Sequence, residues 1–104
     1  MFTQKINWFE GTLEFKLTKQ NFPKAKILEV FDERGKIEIF KYKRILKAVH
    51  KFENSINEIK VDVKDLKIKH VAITWSSNER KMKIFINGKK LAENQFYLKP
   101  LYIG

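Results

Sequence analysis

Apolar and polar residues alternate with a period of two along most of this chain, the pattern of strands that bury one face. Residues 11–18 read G-T-L-E-F-K-L-T, with Leu13, Phe15 and Leu17 on one side and Glu14 and Lys16 on the other. Ile27 to Phe31 is a short apolar run, Asp32-Glu33-Arg34-Gly35 carries turn formers, and alternation resumes from Lys36 to Tyr42. Residues 27–42 therefore predict a β-hairpin. Ile45 to Val49 fits either a strand or one helical turn, and residues 52–57 read as a loop. Alternation returns at 59–63 and 69–75. Residues 65–68 predict a connector and 76–80 a polar turn. Residues 81–86 alternate up to Asn87-Gly88, a strong tight-turn signal, and 89–92 lead away from it. Leu101 to Ile103 predict a last short strand after Pro100. No segment holds a 3.6-residue period beyond two turns, so the expectation is an all-β sandwich or jelly roll.

Within residues 71–75, Val71, Ile73 and Trp75 share one face and Ala72 and Thr74 the other. Met82, Ile84 and Ile86 likewise oppose Lys83, Phe85 and Asn87. The short turn between the two segments predicts an antiparallel pair with one apolar and one polar face.

The length of 104 residues suits one domain, expected over 1–104. Lys and Arg number 22 against 12 Asp and Glu, a net charge of +10, and all but Arg34, Arg44 and Arg80 of the basic residues are Lys. Two readings of that charge stand side by side. Dispersed Lys keeps a sheet surface soluble and blunts its edges, and the same Lys attracts polyanions without sequence preference. Arg, the bidentate reader of phosphate and guanine, is scarce. The absence of Cys removes disulfides, thiolate metal sites and cysteine nucleophiles. No apolar run has the length of a membrane span or of a signal-peptide core, so no membrane span is expected. Localisation is expected to be cytoplasmic as written, or extracellular for a piece of a secreted protein.

Three motifs in order carry a resemblance: G-T-L-E-F at 11–15, H-V-A-I-T-W at 70–75, and M-K-I-F-I-N-G-K at 82–89 followed by L-Y-I-G at 101–104. Together they resemble the concanavalin A-like lectin/glucanase superfamily, in its laminin-G-like and pentraxin-like branch. The resemblance spans residues 9–104. It implies an antiparallel jelly-roll sandwich whose concave sheet face binds ligand. The chain departs from the pattern in three places. Lys16 stands where a Trp is usual, Asn87 where the turn carries Asp, and the usual further strand after L-x-I-G is missing. Either the domain is a reduced version, or the strand comes from residues 3–9, from a second copy in a homo-oligomer, or from sequence beyond this chain.

Candidate chemistry is sparse. His50 and His70 lack a second ligand at metal spacing, and His70 matches a structural His of the family pattern. Glu29, Asp32 and Glu33 are spaced to face opposite ways rather than to flank one bond. Asp62 and Asp65 could contribute oxygens to a cation or serve as turn caps. No phosphate loop, nucleophile elbow or zinc helix is present. The expectation is no enzyme, no catalytic residue, no metal and no cofactor. Aromatics on non-core positions are the remaining candidates, because rings stack on sugars and bases. Phe85 with Lys83 and Thr74, and Phe40 and Tyr42 with Lys41, Lys43 and Arg44, form the expected ligand-binding set. The leading expectation is a non-catalytic module that binds a glycan or protein partner. The alternatives are a polyanion-binding protein and a structural or assembly subunit of a larger or viral complex.

Overall fold

The computed structural model describes residues 6–16, 24–63 and 67–98. Eight strands are present: β1 (Glu10–Lys16), β2 (Lys24–Phe31), β3 (Gly35–Tyr42), β4 (Ile45–Phe52), β5 (Ser55–Asp62), β6 (His70–Ser76), β7 (Lys81–Ile86) and β8 (Lys89–Gln95). They form two antiparallel four-stranded sheets packed as a sandwich, one ordered β1-β6-β7-β8 and the other β2-β3-β4-β5. The chain changes sheet twice, after β1 and after β5.

Ile45 to Val49, which fits either a strand or a helical turn by its sequence, is part of strand β4. Ile45 to Phe52 pairs along its whole length with β3 on one side and β5 on the other. Residues 52–57, expected as a loop, contain only a two-residue turn at Glu53 and Asn54. Glu53 takes a φ of 53° there, and Lys43 takes 54° in the β3–β4 turn. Neither residue type advertises positive φ, which is why the turns were hidden in the sequence. Asn87 and Gly88, at φ 51° and 85°, form the tight turn that the sequence signals. β8 extends to Gln95, beyond the expected 89–92. The expected strand at 101–103 lies outside the described residues.

Alternation decides what each strand buries. Val71, Ile73 and Trp75 pair with Ile86, Ile84 and Met82, and all six are buried. Facing them are Ile37 and Ile39, then Leu46, Ala48, His50 and Phe52, then Ile59. Trp8, just before β1, enters the core at one end. Its ring stacks on Phe52 at 6.0 Å and meets His50 edge-on at 5.4 Å. Phe96 lies edge-on to His50 at 4.8 Å. Val63 and Ile68 are buried in the same core cluster. Two glycines permit close approaches. A Cβ on Gly11 would stand 2.7 Å from the Trp75 indole, and one on Gly35 would stand 2.3 Å from the Lys51 carbonyl oxygen.

One long side of the sandwich is stitched by side chains. Asn94 Nδ2 donates to the Glu58 carbonyl at 2.9 Å. Asn57 Nδ2 donates to the Tyr97 carbonyl, and its Oδ1 accepts from the Tyr97 amide, both at 2.9 Å. These amides stand in for strand pairing and satisfy the Glu58 carbonyl of β5 and the backbone of Tyr97 beyond β8. The opposite long side is bounded by β1 and β2.

Candidate functional site

The outer face of the β1-β6-β7-β8 sheet follows from its register. Thr12 opposes Thr74, which opposes Lys83, which opposes Glu93. The neighbouring row holds Glu14, Ala72, Phe85 and Lys90. Thr74, Lys83 and Phe85 are thus brought together, as alternation predicts. Ala72, small and buried, sets a low floor beside the half-buried Phe85 ring. Toward the β6–β7 turn, a hollow of about 500 Å³ opens among Glu10, Gly11, Thr12, Thr74, Trp75, Ser76, Asn78 and Glu79. Its lining is mainly hydroxyl, amide and carboxylate, a mixture of donors and acceptors. Ser76 Oγ accepts from the Glu79 amide and holds the turn, while Glu79 reaches Lys83 Nζ at 3.9 Å. Thr12, Ser76, Asn78 and Glu79 were missed in the sequence because they read as turn and strand-surface residues. Only the pairing of β1 with β6 brings them together.

The other five candidates lie on the other sheet. Phe40 and Tyr42 occupy the outer face of β3, where Lys47 Nζ sits 5.6 Å from the Phe40 ring centre. Two faces of a sandwich cannot share a ligand, so the expected set divides. Lys41 is a correction. It alternates with Phe40 and Tyr42, so it turns inward, is buried, and donates from Nζ to the Lys43 carbonyl at 3.0 Å. Lys43 lies exposed in the β3–β4 turn, and Arg44 pairs with Asp62 at 3.2 Å.

The centre of that second face is an ionic cluster. Glu38 is 6 % exposed and meets Lys26 Nζ at 2.9 Å, Lys51 Nζ at 3.1 Å and Lys36 Nζ at 3.9 Å. The hydrogen bond from Lys26, helped by Lys51, holds its carboxyl down to about 2 against the cost of desolvation. Its oxygens are committed to these lysines.

Asp32 is committed to the β2–β3 turn. Its Oδ1 accepts from the Arg34 amide at 2.7 Å and the Gly35 amide at 3.2 Å, and its Oδ2 from the Trp8 indole at 3.0 Å. The Arg34 amide is the main cause holding its pKa below the ordinary carboxylate value. His50 is fully buried. A carbonyl only accepts, so its contact with the Trp8 oxygen at 3.1 Å places the proton on Nε2. Nδ1 is buried with no hydrogen-bond partner among the described residues. Desolvation pushes this imidazole down to about 4. His70 lies 4.0 Å from Glu14 on the other face. Among the described residues, no three His, Cys, Asp or Glu side chains gather as a metal site, and no helix is long and apolar enough to cross a membrane. Asp65 lies outside the described residues.

No family model, curated protein or solved structure matches this chain.

Proposed function

We propose that the protein is a non-catalytic recognition module that binds a glycan on the outer face of the β1-β6-β7-β8 sheet. The observation that carries this reading is the hollow lined by Thr12, Thr74, Ser76, Asn78 and two carboxylates, with Lys83 paired to Thr74 at its side and Phe85 in the adjoining row. Sugar hydroxyls both donate and accept, so mixed hydroxyl, amide and carboxylate linings suit them. A half-buried ring next to such a hollow offers a flat apolar surface for a sugar's C–H face. Strands β1 and β6 hold Glu10, Thr12, Thr74 and Ser76 in place, and the Ser76 hydroxyl fixes the turn that carries Asn78 and Glu79.

The laminin-G-like resemblance agrees with this reading as an analogy, and fold analogy alone does not assign a ligand. The jelly-roll assignment rests on the order of the three motifs, since the described chain changes sheet only twice. Glycan-array screening tests the reading. The expected result is a restricted set of glycans whose retention is lost in Phe85→Ala and in Thr74→Lys. An array with no retained glycan, or retention unchanged by both substitutions, overturns it.

A further inference from the structure

We infer that one end of the sandwich docks the phosphate backbone of a duplex nucleic acid. Three chain segments meet at this end. The Val63 amide donates to the Arg44 carbonyl at 2.7 Å, tying residue 63 to the β3–β4 turn. Asn87 ties residues 67–70 to the β7–β8 turn: its Oδ1 accepts from the Lys69 and His70 amides at 2.8 and 3.0 Å, and its Nδ2 donates to the Lys67 carbonyl at 2.9 Å. Lys43, Lys67, Lys69 and Lys89 project from these segments, all exposed. Lys16, at the end of β1 opposite His70, joins them.

Like Lys60 on β5, these lysines lack the ion pairs that most described lysines of the sheet faces make. Lys26, Lys36, Lys47 and Lys51 on one sheet face, and Lys81, Lys83 and Lys90 on the other, each lie within 4.0 Å of a Glu oxygen. Lys16, Lys43, Lys67, Lys69 and Lys89 have no such partner among the described residues. The opposite end carries Glu10, Asp32, Glu33, Glu53 and Glu79 in its turns and strand ends against Arg34 and Arg80, while the turns and strand ends of the basic end hold one described acid, Asp62, paired with Arg44. Charge is therefore segregated along the strands, over roughly 25 Å for eight residues. Such a field orients the molecule as it approaches a polyanion.

The chemistry of the end selects among polyanions. Phe9, Phe31, Ile56 and Tyr97, the exposed large apolar residues among those described, all sit toward the other end. Among the described residues, the basic end thus presents no exposed ring to stack on unpaired bases and no apolar wedge for an acyl layer. Lysine ammonium groups without arginine forks contact phosphates but do not read base edges. A regular phosphate backbone satisfies all of these conditions.

Fluorescence anisotropy with the full chain and a 20-base-pair duplex of mixed sequence tests the inference across a salt series. With about five phosphate contacts, log K should fall against log salt with a slope of about −4 to −5. Lys67→Gln with Lys69→Gln should reduce that slope by about 2 and weaken binding roughly tenfold or more near 0.1 M salt. Lys36→Gln with Lys81→Gln removes the same charge from paired positions and should leave the slope unchanged. Absence of duplex binding at about 50 mM salt overturns the inference. Equal losses from both double variants also overturn it, since net charge alone would then explain binding. Preference for phosphatidylserine vesicles, or for a single strand over the duplex, overturns it in favour of those partners. Circular dichroism of each variant checks that the sandwich is retained.

Discussion

The Nε2–H of His50, in β4, donates to the backbone carbonyl of Trp8, 42 residues earlier in the chain, at 3.1 Å. This bond, with the Trp8 indole on Asp32 and the Trp75 indole on the Asn7 carbonyl at 2.9 Å, locks the segment before β1 into the mouth of the sandwich. It also fixes where β1 starts, and so where Glu10 and Thr12 meet the hollow.

That lock predicts an acid-sensitive fold. His50 stays neutral in the folded state down to about 4, while an unfolded chain protonates it near 6.5. The unfolded state therefore binds more protons in between. The contribution is fully present above about 6.5 and is lost as pH falls toward 4, amounting to about 3 kcal/mol. Denaturant midpoints across this range should fall with acid in the wild type. In His50→Phe, the His50 part of that fall should vanish. An identical pH profile in the variant would contradict the assignment.

Glu38, on the outer face of β3, also loses its stabilisation in acid, here because its charged form is the one held by lysines. Its folded pKa lies near 2 against an ordinary 4.5. Its stabilisation is present above about 4.5 and fades as pH falls toward 2. Glu38→Gln leaves Lys26, Lys36 and Lys51 to repel one another. The variant should melt below the wild type at pH 7, with the gap narrowing below pH 4.5. Thermal scans at both pH values measure it.

Gly35→Ala drives a Cβ into the Lys51 carbonyl, where backbone must move, whereas Gly11→Ala drives one into the edge of the Trp75 ring. Both should destabilise, by about 1–3 kcal/mol as for overpacked sites. Only Gly11→Ala should also shift Trp75 fluorescence, because only there does the indole give way. Denaturation followed by fluorescence separates the two.

Asn87 supplies both an acceptor and a donor to residues 67–70, at a φ that Asn tolerates. Asn87→Asp keeps the two accepted bonds and loses the donated one, for about 1 kcal/mol. Asn87→Ala loses all three and adds strain, for about 2–4 kcal/mol. Urea midpoints in that order support the account, and equal losses contradict it.

How much of this was legible follows from the period of two. Val71, Ile73 and Trp75 against Met82, Ile84 and Ile86 could be read directly, because every inward position is apolar. So could the grouping of Thr74, Lys83 and Phe85. Residues 44–57 could not, since β4 places His50 inward where an apolar residue is expected, and a buried neutral His looks polar in sequence. Lys41 is hidden in the sequence for the same reason: an inward Lys satisfied by the Lys43 carbonyl carries the signature of a surface residue. The hollow and the charge segregation were invisible, because both arise from strand order, which a single sequence does not encode locally.

The central claim, that ligand binds the outer face of the β1-β6-β7-β8 sheet, is tested most directly by backbone amide shift mapping with a glycan retained on the array. The account predicts shifts confined to Thr12, Thr74, Ser76, Asn78, Lys83 and Phe85, with Phe40, Tyr42 and Lys47 unmoved. Shifts centred on Phe40 and Tyr42, or dispersed over both faces, would contradict it.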